Sequence, residues 1–212
     1  TTVCLFAIPV NMAAQNWDDH NRPARYATTA HARNYLNSCA PNAILFTYGD
    51  NDTFPLWYVQ EVEGVRRDVR VVNLSLLSGS WYIDQMKRKA YESSGVPISF
   101  THEQYRDGKR DYVLIRDQFK EGNLKDVMEF VASDLPQTKL QGYIKELDFI
   151  PTRNVILPVD SAKVIANGTV KPQDADQIVK DLRLHLPMQG LTKSQLMVLD
   201  LSLIHISEPT RL

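Results

Sequence analysis

Gly49-Asp50-Asn51-Asp52-Thr53-Phe54-Pro55 sets two carboxylates, a carboxamide and a hydroxyl side by side between a glycine and a proline. It follows a short apolar run and precedes a stretch of helix formers, so it reads as the loop joining a strand to a helix. In open α/β sheets ligands gather at the carboxyl ends of strands. Asp50 and Asp52 can there hold a cation or sugar hydroxyls, while helix amides favour an anion. Asp, Asn and Thr are equally the residues of Asx-turns and helix caps, and Asp52 or Thr53 capping the next helix is the structural alternative. The segment is neither a P-loop nor a dinucleotide fingerprint, because no GK[ST] follows and no GxGxxG occurs. Asp50-x-Asp52 superficially resembles the metal motif of sugar-nucleotide transferases, a spacing common by chance.

A second polar cluster, Asp18-Asp19-His20-Asn21-Arg22, brings acid, imidazole and guanidinium together along the chain. Acid–base or metal chemistry by Asp19, His20 and Arg22 needs convergence in space; otherwise the segment is a hydrated stretch beside a membrane. Trp57-Tyr58 and Trp81-Tyr82 are the third feature. Each tryptophan is expected to open a helix that follows a strand, so the two can flank one cleft and stack on a sugar ring. Buried aromatic packing is the competing fate. His31 and His102 have no evident partner, GxSxG is absent, and Cys4 and Cys39 form no CxxC pair. The sequons at Asn51, Asn73 and Asn167 read as chance, since Asn73 falls inside an expected strand.

The elements that must position these groups follow from pattern and punctuation. Helices are expected over 24–37, from Pro55 to Glu63, from Ser80 to Glu92, over 124–133, 161–166 and 173–182, and from Thr192 to Leu199 with a Thr192/Gln195 capping box. Strands are expected over 43–47, 69–77 and 112–115, with a strand pair at 149–150 and 155–157. Alternation of strand and helix gives the fold class: α/β, a largely parallel sheet with flanking helices, Rossmann-like, over 18–140. A less regular C-terminal subdomain is appended over 141–200. The 212 residues, 43% hydrophobic and 23% charged, suffice for a packed core, and a net charge of −1 gives no case for a nucleic-acid partner.

The ends are unusual. Thr1 to Trp17 carries no charge, and Trp17 precedes Asp18, Asp19 and His20. This is the pattern at the exit of a transmembrane helix, so 1–17 is expected to be the end of one. Leu201 to Arg211, LSLIHISEPTR, resembles the conceptual translation of a transposase adapter used in sequencing libraries. The native frame is then expected to stop near Asp200, and His205 takes no role.

Several stretches together resemble one family: Trp17-Asp18-Asp19-His20, the run from Leu36 to Phe46 (LNSCAPNAILF), the run from Tyr48 to Tyr58 (YGDNDTFPLWY), the run from Gly64 to Leu74 (GVRRDVRVVNL), Trp81 to Lys87 (WYIDQMK) and Leu196 to Asp200 (LMVLD). The whole, from about Trp17 to Asp200, resembles large bacterial multi-pass membrane proteins similar to the eukaryotic transmembrane protein O-mannosyltransferases of the GT-C type. The resemblance implies a bundle of transmembrane helices followed by a soluble extracytoplasmic, periplasmic region, of which this chain is the start. It implies a lipid-linked sugar donor for the full-length parent, whose catalytic acid lies in the bundle, so no catalytic residue is carried onto this chain. The expected partners are the parent's own bundle and an acceptor protein or glycan. The function so implied is accessory acceptor or glycan binding. Alternatives are an independent α/β enzyme with its site at 49–55, and a non-catalytic envelope interaction domain.

Overall fold

The computed structural model describes residues 2–21, 26–141, 146–166 and 168–203. Arg22, Asn167 and the tail beyond Leu203 lie outside them. The chain opens with helix α1 (Thr2–His20), whose side chains from Val3 onward are all exposed. Among the described residues no helix is long and apolar enough to cross a membrane.

The first layered unit follows. Helix α2 (Ala27–Ser38), strand β1 (Ile44–Thr47), helix α3 (Asp50–Glu61) and strand β2 (Arg70–Asn73) form a βαβ crossover with α2 packed on α3. The strands pair in parallel, Ile44 opposite Arg70 and Thr47 opposite Asn73. Ala32 and Leu36 of α2, Leu56 and Val59 of α3, and Val69 and Val71 bury one small apolar cluster between them. This one parallel pair is what the structure retains of the expected parallel sheet.

The rest departs from one largely parallel sheet. After helix α4 (Ser80–Met86) and the single turn α5 (His102–Tyr105) come strands β3 (Tyr112–Ile115) and β4 (Gly122–Asn123) and helix α6 (Leu124–Ala132). Strands β5 (Lys139–Leu140), β6 (Leu147–Ile150) and β7 (Asn154–Pro158), helix α7 (Ser161–Ala166), strands β8 (Asp181–His185) and β9 (Gly190–Thr192) and helix α8 (Lys193–Ser202) complete the chain. One mixed sheet runs β5-β6-β3-β9 and another β4-β7-β8. The chain is therefore α/β, with three small sheets among the described residues, two of them mixed. The expected pair at 149–150 and 155–157 exists as strands but not as a pair. Strand β6 lies between β3 and β5, and β7 between β4 and β8. Its core draws on both sides of residue 140, from Val72, Ile83 and Val113 to Leu157, Leu196 and Met197.

Local chemistry explains most boundaries. Helix α6 buries Leu124, Val127, Met128 and Val131, a single stripe at helical spacing, and Asn123 caps it by accepting from Lys125 N at 2.9 Å. The expected Thr192/Gln195 capping box starts α8. Helix α4 stops at Met86 rather than Glu92 because the chain folds back: Val96 N donates to Met86 O at 2.8 Å. Gly95 is required there, since a Cβ would sit 2.2 Å from Lys87 O. The helix expected over 173–182 is instead a 3-10 turn (Pro172–Gln177) interrupted at Asp174 and followed by β8, whose pairing with β7 outweighs local helix propensity.

Candidate functional site: an aromatic cleft beside the βαβ unit

Helix α3 begins at Asp50, not Pro55, with Gly49 at its N-cap in a left-handed conformation (φ 82°). Pro55 therefore lies inside the helix and leaves the Asn51 carbonyl without its helical donor. Asn51 is exposed, so water can take that acceptor. The supposed loop of ligands thus becomes a first helical turn. Thr53 points inward, fully buried. Its hydroxyl donates to Gly49 O at 2.6 Å, meets the Thr47 hydroxyl at 2.8 Å and accepts from Asn73 Nδ2 at 2.7 Å. Thr53 so ties the carboxyl ends of β1 and β2 to α3, a structural role. Asp50 and Asn51, with Thr28, Thr29, Phe54 and Tyr58, line a shallow depression of about 630 Å³ between α2 and α3. Asp52 is exposed on the same turn.

The early helix start also moves Trp57 two turns in, and it packs against both apolar clusters. Trp81 sits in the first turn of α4, more than half exposed. Trp57 and Trp81 line one cleft of about 430 Å³, with Tyr82 and Tyr91 also on its walls. Gly79 permits this: a Cβ there would lie 2.9 Å from the Trp81 indole Nε1 and displace the ring. The Tyr82 hydroxyl accepts from Asn73 N at 2.9 Å, which fixes α4 against the end of β2.

The polar lining has three parts. Gln60 is already committed, its amide donating to Arg66 O and Val69 O at 2.9 and 2.8 Å. Glu61 accepts from the Tyr91 hydroxyl, and that bond holds the phenol above its ordinary pKa. The Arg67 guanidinium carbon lies 3.6 Å from the Tyr91 ring centroid, a cation–π contact, and its Nε is 3.6 Å from Glu92. Arg70, 8% exposed within β2, donates through Nη2 to Arg88 O at 2.5 Å and Ser94 O at 3.0 Å. Burial lowers its pKa, and the opposing influence is the Tyr82 phenol rather than a carboxylate.

Next to the cleft, Arg66 latches the 66–70 segment. It donates to Leu36 O in the last turn of α2 and to Cys39 O and Ala40 O just beyond it, and grips Asp68 through Nε and Nη2 at 2.8 and 3.0 Å.

Asp19 and His20 end α1, exposed, with His20 Nδ1 3.0 Å from Asn16 O, and neither lines the cleft. His102 has the partner that sequence could not name: its Nδ1 is 3.0 Å from Asp84, which also accepts from the buried Tyr105 hydroxyl at 2.7 Å. The Tyr105 bond, foremost, keeps the Asp84 carboxyl below its usual range. Among the described residues no three His, Cys, Asp or Glu side chains converge to hold a metal ion.

The fold and cleft define an α/β domain whose cleft is lined by aromatic rings together with Glu61, Arg67 and Arg70. The model of the TMEM260-associated domain 2 family matches residues 28–206, and the chain belongs to that family. The family is associated with TMEM260-like membrane proteins. No curated protein and no solved structure matches the chain.

Proposed function

We propose that this chain is the extracytoplasmic, periplasmic portion of a GT-C-like membrane glycosyltransferase of the protein O-mannosyltransferase kind, and that it holds a glycan or glycosylated acceptor rather than performing transfer. The carrying observation is that Trp57 and Trp81, distant in sequence, line the same cleft. The exposed Trp81 indole and the half-buried edge of Trp57 offer an apolar surface on which a pyranose ring stacks, and flanking polar groups orient hydroxyls. Membership of a family associated with membrane proteins supports the setting. Transfer itself belongs to the membrane bundle and its lipid-linked donor.

Calorimetric titration of the 212-residue chain with mannose oligosaccharides tests this. Binding is expected, and Trp57→Ala and Trp81→Ala should each weaken it about three- to tenfold, from roughly 0.5–1.5 kcal/mol per aromatic contact. Transfer of labelled mannose by the isolated chain would overturn the accessory role. A second reading, an independent enzyme, rests on the separate depression at Asp50 and Asn51. It requires Asp50→Ala to abolish turnover without unfolding the domain.

A further inference from the structure

Among the described residues, two buried side-chain polar atoms lack a hydrogen-bond partner, and they are Nε of Arg67 and Nε of Arg70. Both residues line the tryptophan cleft. The nearest carboxylate to the Arg67 Nε, that of Glu92, stands 3.6 Å away, too long for a hydrogen bond. Arg70 is more deeply placed, at the head of a strand whose four residues are all buried. A guanidinium in such a position is normally met by a carboxylate, because a desolvated cation without a counter-charge is costly. Elsewhere the molecule observes that rule: buried Arg110 meets Asp134 at 2.8 Å, and buried Lys193 meets Asp111 at 2.6 Å. At Arg70 two backbone carbonyls serve instead.

We propose that the cleft takes an acidic saccharide, its ring against Trp57 and Trp81 and its anionic group, a carboxylate or a phosphate, received by Arg67 and Arg70. This rests on the reading of the cleft as a glycan site. Guanidinium suits both anions, since its N–H groups form a planar fork that matches paired oxygens. The carboxylates near the cleft lie with Arg67, Glu92 at 3.6 Å from its Nε and Glu61 accepting from the Tyr91 hydroxyl beneath it, whereas among the described residues no carboxylate pairs with Arg70. An arriving anion therefore supplies the charge that the fold leaves out.

The test is titration of the full 212-residue chain, followed by tryptophan fluorescence, with glucuronic acid, mannose 6-phosphate, mannose and inorganic phosphate. At least one acidic sugar should bind about tenfold or more tighter than mannose, the worth of a hydrogen bond to a charged group. Arg67→Gln, half-buried and not needed for the β2 pairing, should remove most of that preference. Arg70→Lys, checked by circular dichroism for folding, should do the same. Preference between glucuronate and mannose 6-phosphate identifies the anion, and either supports the proposal. Equal binding of mannose and both acidic sugars overturns it and leaves the neutral-glycan reading standing. Inorganic phosphate binding as tightly as mannose 6-phosphate, unaffected by Trp57→Ala, overturns instead the sugar reading beneath it. An unchanged preference in folded Arg67→Gln and Arg70→Lys overturns the assignment of these two residues.

Discussion

Replacing Asp68 by Asn should release the latch that closes α2 onto the βαβ unit. The carboxylate takes two bonds from Arg66, at 2.8 and 3.0 Å, and one from Asn42 N at 2.9 Å. The Arg66 bonds are the chief reason its pKa falls from 3.8 to about 2. At about 1.36 kcal/mol per pKa unit this corresponds to roughly 2.4 kcal/mol, an upper figure because a quarter-exposed pair is partly screened. Asp68→Asn is therefore expected to lose about 1–2 kcal/mol at pH 7. The pH dependence carries the sign. A carboxyl whose folded pKa is depressed stabilises the fold above its ordinary value, and that contribution disappears as pH falls through the folded value. The stability gap between parent and variant should stay constant from pH 7 down to about 5 and close between about pH 4 and pH 2. Urea unfolding of both proteins at pH 7, 5, 4 and 3, followed by circular dichroism, measures that gap. Other titrating groups cancel in the comparison where they lie far from Asp68. A gap below about 0.5 kcal/mol at pH 7, or one unchanged at pH 3, refutes the reasoning.

Two further substitutions probe the frame around the cleft. Thr53→Val keeps the shape but removes the bonds to Gly49 O, the Thr47 hydroxyl and Asn73 Nδ2. It should cost about 1–3 kcal/mol in urea unfolding, because buried acceptors and donors are left unmet, and a neutral result would deny Thr53 its junction role. Arg110→Met should cost about 3–5 kcal/mol in the same assay. That guanidinium is fully buried and donates to Val131 O, Gln104 O, Ala132 O, Ser133 O and Asp134, so its loss leaves those carbonyls unmet and removes one of the cations facing Asp134 and Asp148. A loss under about 1 kcal/mol would show that the cluster re-forms without it.

The sequence was most legible where one periodicity acted alone. The 112–115 strand and the 161–166 helix stand where they are expected, and Asp160 accepts from Lys163 N at 3.1 Å at the start of the helix. Strand partners were not legible, because runs of two to five residues say that a strand exists but not which edge it joins. The start of strand β8 fell within the helix expected over 173–182, and the three residues of β9 are too few to show a period. Pro55 misled as a helix start: the Gly49 backbone and the Thr53 hydroxyl begin the helix a turn and a half earlier. Of the candidate site, the pairing of Trp57 with Trp81 was foreseeable, since both follow strands of a single crossover. Their basic companions were not foreseen. Arg67 lies in a turn, and Arg70 is a lone charge at the head of the apolar run VRVVNLSLL, the one available signal that a buried strand carries a cation. The partner of His102 is 18 positions away on another helix, beyond any local pattern.

Saturation-transfer NMR of a mannose oligosaccharide with the 212-residue chain, and with the Trp57→Ala/Trp81→Ala double variant, tests the glycan cleft most directly. The account predicts saturation of the sugar ring protons by the parent chain and its loss in the folded double variant. Saturation that persists unchanged when both indoles are removed would contradict it, and so would its absence from the parent with neutral and acidic sugars alike.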